Sequence, residues 1–327
     1  MKVVITGGGG FLGSRLSQKL VEQGQLTGAH GEPEPIDEII LLDALFARDQ
    51  THPMVTQITG DISDRDTVFQ TVGDAAGTSI FHLASMVSGE CEERFDDALR
   101  VNLDGGHHVF EAARNAAGRP RVVFASSIAC FGGEDMSASM TDLTRHTPQT
   151  TYGMTKAVCE LLVNDHSRKG HFDGRSARLP TVIIRPGKPN AAASSWASGM
   201  FREPLNGEPC DLPVRRDQPH PMTGYRTVVD SLVTVHELPD RELGFDRACG
   251  LPAHRVTPHD AEAAIRSVAE KRRIQLGPIV DAFDARIQGI VDHWPTAIDG
   301  SRGIALGLPS PPPLEQIVEH YLDDYGG

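Results

Sequence analysis

The sequence has few cysteines and few aromatic residues, and it has no long apolar run. Its five cysteines are scattered over 327 residues and form no Cys-x-x-Cys pair. A disulfide framework or zinc knuckle is therefore not expected, and the thiols fit a reducing compartment. No apolar segment approaches the roughly 18 residues of a membrane-spanning helix. The first residues form a strand-like run, so we expect no leader peptide, no membrane partner and a cytoplasmic protein.

Positive charge is also scarce. The chain has 31 Lys and Arg residues against 44 Asp and Glu residues, a formal net charge of −13. Nucleic acids and anionic membranes bind through basic surfaces, so no nucleic-acid partner is expected. The 14 histidines include no His-x-x-x-His or His-Glu-x-x-His pattern. Adjacent His107 and His108 would point about 100° apart on a helix, and we expect no metal site.

The first half of the chain alternates short apolar runs with longer amphipathic segments. Buried strands are predicted at Val3–Thr6, Glu38–Asp43, Val55–Thr59, Ser79–Leu83, Arg121–Ala125 and Ser176–Arg185. Helices are predicted at Phe11–Gln23, Asp64–Val72, Glu92–Ala117 and Thr151–Ser167. Strands rich in Val and Ile that alternate with helices predict an α/β fold, a doubly wound (Rossmann) parallel sheet covered on both faces.

The pattern changes after Pro186. Residues 186–222 are rich in Pro, Gly, Ser and Ala, which predicts a long loop near the active site. Further on, the sequence predicts a strand and then a helix over Tyr225–Glu237, and helices over Asp260–Arg273, Pro278–His293 and Leu314–Tyr325. We therefore expect a Rossmann domain over residues 1–185, completed by a returning segment near 223–250. Residues 186–327 are expected to form a smaller, substrate-binding C-terminal lobe.

A glycine-rich loop follows the first predicted strand. Gly7, Gly10 and Gly13 have the Gly-x-x-Gly-x-x-Gly spacing between a strand and a helix. The first glycine permits a tight turn, the second lets the backbone approach a pyrophosphate, and the third lets the helix pack closely on the sheet. The start of that helix, with Phe11 and Leu12, offers backbone N–H groups to phosphates. The loop therefore predicts a dinucleotide-binding site.

Asp43, at the end of the next long strand, indicates which dinucleotide binds. A carboxylate at this position accepts hydrogen bonds from the adenosine ribose diol and repels a 2′-phosphate, which favours NAD over NADP. The alternative is a solvated aspartate at a strand end.

Tyr152 and Lys156 lie four residues apart on a predicted helix, hence on one face. A phenol has an ordinary pKa of about 10, and a neighbouring ammonium favours its ionised form. The spacing therefore predicts that Lys156 lowers the pKa of Tyr152 and makes it a usable base. Ser126 and Ser127 follow the fifth strand, where a hydroxyl can hold a reacting oxygen. Asn102 is a candidate for positioning a water linked to the lysine.

Residues Thr6–Gly13, Asp43, Ser127, Tyr152 and Lys156 together resemble the extended short-chain dehydrogenase/reductase family, which contains nucleotide-sugar epimerases and dehydratases. The resemblance covers essentially the whole chain and implies an NAD-dependent oxidoreductase that forms a homodimer through its two long helices. It selects Ser127 over Ser126 as the catalytic hydroxyl, with Phe131 in place of the family's Tyr. It also implies cofactor contacts at Asp61, Ile62, Leu83, Ala84, Ser85, Asn102, Tyr152, Lys156, Pro180 and Val182.

Two segments indicate a branch of that family. Met86–Gly89 with its continuation to Gly105, and Leu179–Leu205, resemble dehydrogenases that oxidise the C2 hydroxyl of a four-carbon sugar acid to a 2-keto acid with NAD. The resemblance implies Tyr152 as general base, Ser127 on the developing carbonyl oxygen and Lys156 on the nicotinamide ribose. Expected substrate contacts are Ser85, Ser127, Tyr152, Asn190, Ser194 and Arg202.

The group that anchors the substrate carboxylate stays open at this stage. Lys188, Arg202 and Arg226 are the nearest cations by sequence, and Asn190, Ser194 and Ser195 are neutral alternatives. Two other functions also stay open. One is a nucleotide-sugar epimerase or dehydratase with tightly bound NAD, and the other is a catalytically silent NAD-binding regulator. The complete set of Ser127, Tyr152 and Lys156 argues against the regulator.

Overall fold

The computed structural model describes residues 1–47, 50–74, 76–134, 136, 139–189 and 194–326. Within them the strands are β1 Lys2–Thr6, β2 Gln25–Thr27, β3 Pro33–Pro35, β4 Glu38–Asp43, β5 Val55–Thr59, β6 Thr78–His82, β7 Arg121–Ser127, β8 Ser139–Met140, β9 Asp173–Leu179, β10 Thr181–Ile183, β11 Cys210–Leu212, β12 His220–Gly224, β13 Ala248–Gly250, β14 His254–Val256, β15 Ile279–Asp281 and β16 Ala297–Ile298.

The helices of the same residues are α1 Phe11–Gln23, α2 Arg65–Val72, α3 Ser88–Glu93, α4 Phe95–Ala98, α5 Gly105–Asn115, α6 Thr151–Arg168, α7 Ser195–Leu205, α8 Tyr225–Glu237, α9 Asp240–Leu243, α10 Pro258–Arg272, α11 Ala285–Asp292, α12 Ser301–Ala305 and α13 Leu314–Tyr325. A π-helical turn over Leu99–Asp104 joins α4 to α5, and a short 3₁₀ turn, Ile128–Cys130, follows β7.

The chain divides into two units. Unit 1 comprises Met1–Cys130, Thr150–Arg178 and Val229–Cys249. Unit 2 comprises Phe131–Gln149, Leu179–Val228 and the residues from Gly250 onward. Residues 131–149 therefore fall in unit 2, whereas the boundary drawn at residue 185 from the sequence placed them in the first domain.

Unit 1 is built on a seven-stranded parallel sheet in the order β13-β9-β7-β6-β1-β4-β5. The chain runs outward from β1 to β4 and β5, and then returns to place β6 on the other side of β1. This reversal is the topological switch point at which doubly wound folds bind ligands. Val3, Val4 and Ile5 of β1 are fully buried, because helices cover both faces. The predicted Rossmann fold is confirmed.

The predicted helix Glu92–Ala117 is interrupted. The segment consists of α3, α4, the π-helical turn and α5, and α5 ends at Asn115. A β-carbon on Gly105 would lie 2.9 Å from Ile62, and one on Gly106 would lie 3.0 Å from the sulfur of Cys159. The start of α5 thus packs so closely against its neighbours that only glycine fits there. A π-helical turn just before α5 accommodates this close approach.

Unit 2 contains a three-stranded sheet in the order β10-β12-β14, with β10 parallel and β14 antiparallel to β12. Helices α7, α10 and α13 share its apolar core, which includes Trp196, Phe201, Met222, Ile265 and Ile317. The predicted loop 186–222 is therefore wrong where α7, β11 and the start of β12 form. The predicted strand Ser176–Arg185 is also wrong in part, since Pro180 separates β9 from β10, which belong to different sheets.

Two other predictions after residue 222 need correction. Tyr225–Glu237 is helical throughout, and the strand β12 precedes it. Pro278–His293 is not one helix, since β15 occupies its first part and α11 begins only at Ala285, where Asp284 caps it. The helix Leu314–Tyr325 is confirmed.

A buried ion pair ties α6 to the sheet of unit 1. The carboxylate of Glu160 is 2.8 Å from the Arg178 guanidinium, and the two side chains are 1% and 3% exposed. The same carboxylate accepts a hydrogen bond from Ser126. Removing one charge from such a pair leaves the other buried and uncompensated, which is far more costly than losing an exposed pair.

We expect Glu160→Gln to lower the free energy of unfolding by about 3–5 kcal/mol, because the Arg178 charge then stays buried without its counter-ion. Urea unfolding followed by circular dichroism measures the change. Asp165→Asn is the matched control, because Asp165 is also on α6 and pairs with Arg168 at 2.6 Å, but in solvent. Its midpoint should stay nearly unchanged. Equal shifts for both variants would refute a structural role specific to the buried pair.

Candidate active site

The glycine loop after β1 is shaped by contacts that exclude side chains. Gly7 has a φ of +73°, and the N–H of Gly10 donates to its carbonyl at 3.1 Å. A β-carbon on Gly13 would lie 2.2 Å from the same carbonyl oxygen, so α1 can pack against the loop only without one. The N-cap of α1 is Gly10, which supplies no side-chain cap. These features fit a backbone cradle for a pyrophosphate.

Two further glycines of the loop were missed by the spacing rule. A β-carbon on Gly8 would lie 2.6 Å from that of Leu41, and one on Gly9 would lie 2.3 Å from the carbonyl oxygen of Leu45. The sequence does contain a signal for them, the run of four consecutive glycines at Gly7–Gly10. The Gly-x-x-Gly-x-x-Gly pattern uses only the first and last of these four.

Asp43 stands beside this loop. Its carboxylate accepts hydrogen bonds from the N–H of Gly9 at 2.9 Å and of Leu45 at 3.4 Å. The side chain is partly exposed, so oxygen lone pairs are still open to a diol. The contacts orient the carboxylate at the carboxyl end of β4, next to the glycine loop.

The segment after β6 lies against the glycine loop at the switch point. The N–H of Leu83 donates to the Thr6 carbonyl at 3.0 Å, and the N–H of Ala84 donates to the Thr6 hydroxyl at 3.3 Å. A β-carbon on Gly7 would lie 2.7 Å from the Ala84 nitrogen. The Ser85 hydroxyl donates to the carbonyl of Met86 at 2.9 Å. Two of the predicted cofactor residues, Leu83 and Ala84, thus adjoin the loop.

Asp61 and Ile62, two of the cofactor contacts implied by the family resemblance, are already engaged within unit 1. The Asp61 carboxylate accepts from the Ser63 hydroxyl at 2.7 Å and from Arg100 at 2.8 Å. Burial opposes ionisation of Asp61, but these hydrogen bonds outweigh it and lower the pKa. The Ile62 side chain belongs to the apolar core, so its backbone is what remains for a cofactor.

Asn102 lies in the π-helical turn and fixes the segment after β6. Its side-chain oxygen accepts from the N–H of Met86 at 2.7 Å, and its amide donates to the Met86 carbonyl at 3.3 Å. Its own carbonyl accepts from the Cys159 thiol at 3.6 Å. The side chain thus positions the backbone next to Ser85, and its predicted role in placing a water stays a prediction.

Lys156 is a buried cation on α6, whose N-terminus Thr150 caps by accepting from the N–H of Gly153 at 3.1 Å. The ammonium donates to the Ala125 carbonyl at 2.9 Å, and lies 4.8 Å from the Phe124 ring centroid and 5.5 Å from that of Tyr152. Burial lowers the pKa of Lys156 to about 8. The ammonium is therefore close to its titration point near neutral pH.

The phenol of Tyr152 has the opposite shift from the one that its spacing to Lys156 predicted. Burial raises its pKa well above the ordinary value, and a hydrogen bond with the Ser127 side chain lowers it only in part. The physical reason is burial, which the ammonium does not offset because it donates to a backbone carbonyl. In this geometry Tyr152 is a neutral phenol and Lys156 gives up its proton first.

The two serines at the end of β7 point to opposite faces, as successive strand residues do. Ser126 donates to the buried Glu160 carboxylate. Ser127 accepts from the N–H of Ala129 at 3.1 Å, and its side chain lowers the pKa of Tyr152. This arrangement supports the choice of Ser127, whose catalytic role stays a prediction.

His82 is a buried group that the sequence analysis missed. Its Nδ1 is 2.7 Å from the Thr6 hydroxyl, and its ring stacks on Phe124 with centroids 5.5 Å apart. Burial and the nearby Lys156 charge lower its pKa to about 3, so the ring is neutral. The same Thr6 hydroxyl accepts from the N–H of Ala84, so His82, Thr6 and the segment after β6 are joined by hydrogen bonds. No local sequence signal marked this residue.

The predicted substrate residues of unit 2 have different surroundings. Ser194 occupies the N-cap position of α7 without a side-chain cap hydrogen bond, and Ser194 and Ser195 are both partly buried. Of the predicted cofactor residues, Val182 lies in β10 and Pro180 is buried just before that strand. Asn190 lies outside the described residues. Their cofactor and substrate roles stay predictions.

Two of the three proposed carboxylate anchors are already paired. Arg226 is bonded to both oxygens of Asp324, at 3.1 and 2.7 Å. Arg202 is 4% exposed and pairs with Glu203 at 2.5 Å. Lys188 is exposed. Neither arginine is therefore available as an open anion site in this structure, which corrects the expectation for Arg202 and Arg226.

Neither a metal site nor a membrane-spanning helix is found among the residues that the structure describes. No group of three or more His, Cys, Asp or Glu side chains there is arranged to hold a metal ion. No helix there combines the length and apolar character needed to cross a bilayer.

A glycine cradle at the switch point of a parallel sheet, with a tyrosine and a buried lysine on one helix, defines a Rossmann-fold enzyme that uses a dinucleotide. The sequence profile of the NAD dependent epimerase/dehydratase family matches residues 3–242. The chain belongs to this family, and NAD is its cofactor. The predicted family resemblance is thus confirmed.

Individual relatives match the whole chain. It is 40% identical to D-erythronate dehydrogenase of Cupriavidus necator, over 100% of this chain and 99% of that protein. It is 36% identical to D-erythronate dehydrogenase of Haemophilus influenzae, over 99% of each. A solved structure described as a nucleoside-diphosphate-sugar epimerase from Agrobacterium tumefaciens is 35% identical, with a TM-score of 0.88, over 100% of this chain and 95% of that one.

We expect Tyr152 of the free protein to stay protonated up to about pH 10, because burial raises its pKa. Ultraviolet difference titration of wild type against Tyr152→Phe isolates the phenolate absorbance of this residue. Below about pH 10 the difference should show no phenolate. A titration step near neutral pH in the free protein would contradict the geometry described for the pair.

Proposed function

We propose that the protein oxidises the C2 hydroxyl of D-erythronate with NAD, forming 2-dehydro-D-erythronate and NADH. Two curated relatives named D-erythronate dehydrogenase match the chain over its full length, which supports the substrate. The observation that carries the chemistry is a buried Lys156 one turn from Tyr152 on α6, with the Ser127 side chain near enough to lower the pKa of the phenol. This set is what proton transfer from an alcohol requires.

In the proposed reaction Tyr152 accepts the proton of the C2 hydroxyl while its own phenol proton passes to the neutral Lys156 amine, which has already released a proton to solvent. Bound NAD supplies the acceptor for the hydride that leaves C2. The Ser127 hydroxyl donates a hydrogen bond to the oxygen that becomes the carbonyl. The charge on this oxygen and on Tyr152 changes during the step. Ser127 on β7 and Tyr152 on α6 are already in position before the step begins.

Lys156 and Tyr152 act as a coupled pair. The two side chains share one face of α6, so the pair releases protons in two macroscopic steps. Burial brings the first step to about 8 by lowering the pKa of Lys156. Once one proton has left the pair, it can accept the substrate proton. We assign to Lys156 the role of setting this step and of contacting the nicotinamide ribose.

For the cofactor, we assign the pyrophosphate to the backbone of Gly7, Gly10 and the first turn of α1, with Phe11 and Leu12. The closeness of Gly13 to the Gly7 carbonyl, 2.2 Å for an added β-carbon, supports the assignment. Asp43 is assigned to the adenosine ribose. Its two backbone contacts leave acceptor capacity for the diol.

We further propose a cytoplasmic homodimer. The five thiols form no disulfide and are all buried, which suits a reducing compartment. Leu161 of α6 is 61% exposed and Phe95 of α4 is 52% exposed. Large apolar side chains left in solvent on the helices of unit 1 support association of two copies there.

The second candidate function is a nucleotide-sugar epimerase in which NAD stays bound and is regenerated. The Agrobacterium tumefaciens structure, described as a nucleoside-diphosphate-sugar epimerase and 35% identical, favours it. The two functions differ in whether NADH accumulates during turnover.

The proposed function predicts that purified protein with D-erythronate and excess NAD forms NADH continuously at 340 nm, well beyond one equivalent per enzyme. An epimerase would give no accumulating NADH with any four-carbon acid. Absence of NADH with D-erythronate, while a nucleotide sugar is converted, would reject the proposal.

A matched pair of serine variants controls this assay. Ser127→Ala is expected to lower kcat by about 10²–10³-fold, the usual loss of one donor to a developing oxyanion. Ser126→Ala removes the neighbouring hydroxyl on the other face of β7 and should keep kcat near wild type while lowering the melting temperature. A reversed pattern would reject the role of Ser127.

A further inference from the structure

A buried polar pair joins the ends of β1 and β6. Thr6 and His82 are partners in the register of these neighbouring strands, and their side chains are 0% and 1% exposed. The Thr6 hydroxyl is 2.7 Å from Nδ1 of His82. Two residues earlier on the same face, Val4 and Ile80 belong to the apolar core. Replacing both partners of a buried hydrogen bond by apolar groups is nearly neutral for stability, so packing alone does not require a polar pair here.

The Thr6 hydroxyl also holds the backbone that follows β6. It accepts a hydrogen bond from the N–H of Ala84 at 3.3 Å, and the Thr6 carbonyl accepts from the N–H of Leu83 at 3.0 Å. Gly7, the next residue, approaches the same backbone so closely that a β-carbon on it would lie 2.7 Å from the Ala84 nitrogen. The position of this segment against the glycine loop therefore depends on where the Thr6 hydroxyl is held.

The ring of His82 is held from three sides. It stacks on Phe124 of β7 with centroids 5.5 Å apart, and it meets Phe110 of α5 edge to face with centroids 5.9 Å apart. A β-carbon on Gly106 would lie 3.4 Å from its Nε2, so the start of α5 packs directly against the ring. These contacts fix the plane of the ring, and Nδ1 meets the Thr6 hydroxyl at a set position.

We propose that His82 is a positioning residue for NAD, which acts through the Thr6 hydroxyl to hold the segment after β6 against the glycine loop before the cofactor binds. The proposal rests on the proposed function, in which this loop binds the pyrophosphate. A site that is already ordered in the free protein loses less conformational entropy when its ligand binds, so preorganisation is measured as affinity. Loss of the bond between His82 and Thr6 therefore weakens NAD binding as well as the fold.

A second histidine–hydroxyl pair on β6 provides a matched control. Nε2 of His236 is 2.8 Å from the Ser79 hydroxyl, and the two side chains are 0% and 1% exposed. The His236 ring stacks on Phe81 with centroids 5.3 Å apart. Ser79 lies about 10 Å before His82 along the strand, near its amino end, whereas the glycine loop lies at the carboxyl end. The two pairs share their chemistry and burial but differ in their place along β6.

The test measures the Kd for NAD by calorimetry, without substrate. His82→Gln should raise this Kd by about 3- to 10-fold, the usual contribution of one buried hydrogen bond, because the new amide takes the place of Nε2 and not of Nδ1. His82→Asn places an amide at the position of Nδ1, where it can bond to the hydroxyl, and should recover most of the affinity. Ser79→Ala should lower the melting temperature and leave the Kd unchanged.

Two further variants test the route through Thr6. Thr6→Val should raise the Kd at least as much as His82→Gln does, because it also removes the acceptor of the Ala84 N–H. In Thr6→Val, the additional change His82→Gln should leave the Kd unchanged, since the bond between the two residues is already absent. His82→Phe keeps a ring on Phe124 without the nitrogen and should weaken NAD binding as His82→Gln does, so the test does not depend on the folding of one variant.

A merely structural role for His82 would give a different pattern. His82→Gln, His82→Asn and Ser79→Ala would then all lower the melting temperature, and each would leave the Kd for NAD within about twofold of wild type. That result would overturn the proposal. Additive effects of Thr6→Val and His82→Gln on the Kd would also overturn it, because the two changes would then act through different contacts.

Gly10→Ala separates this proposal from the proposed function. A β-carbon on Gly10 would lie 3.2 Å from the Gly7 carbonyl oxygen, so the loop can accept it with a small shift, but it would obstruct the backbone surface assigned to the pyrophosphate. If Gly10→Ala raises the Kd and His82→Gln does not, the assignment stands and the role of His82 is wrong. If His82→Gln and Thr6→Val raise it and Gly10→Ala does not, the assignment is wrong and the role of His82 stands. If none of the three raises it, both are rejected. Oxidation of D-erythronate is decided separately, since these measurements contain no substrate.

Discussion

Burial of the Lys156 ammonium is the constraint on which the site depends. The charge lies between the rings of Phe124 and Tyr152, with the Ala125 carbonyl as its acceptor at 2.9 Å. Desolvation lowers the pKa of Lys156 to about 8 and raises that of Tyr152. The lowered pKa of Lys156 brings the release of the first proton of the pair close to neutral pH, where a proton acceptor is useful.

The fold provides this environment with few residues. Strand β7 ends at the carboxyl edge of the parallel sheet, where it presents the Ala125 carbonyl and the Ser127 hydroxyl, while Ser126 on the opposite face bonds to Glu160. One strand therefore carries a structural contact and the hydroxyl to which we assign a catalytic role on alternate sides. On the other side of the switch point, the glycine loop and Asp43 share hydrogen bonds that shape the cradle for the dinucleotide.

The sequence was sufficient where the signal is local. Apolar runs, the glycine spacing and the Tyr152–Lys156 pair predicted the sheet, the family and NAD. The sequence was insufficient where the availability of a side chain depends on a partner far away along the chain. Arg226 is occupied by Asp324, 98 residues later. Helix α7 was hidden by Gly and Pro, although Trp196, Met200 and Phe201 recur at helical spacing and are buried. The pKa direction of Tyr152 depends on burial, which spacing does not report.

The pH dependence of kcat/KM for D-erythronate oxidation, compared between wild type and Lys156→Met, tests the central claim most directly. Proton release from the pair should make the wild-type rate rise with pH through about 8, the pKa to which burial lowers Lys156. In Lys156→Met the buried phenol must ionise alone, so the rise should move to much higher pH and the neutral rate should fall. An unchanged inflection in Lys156→Met would contradict the account.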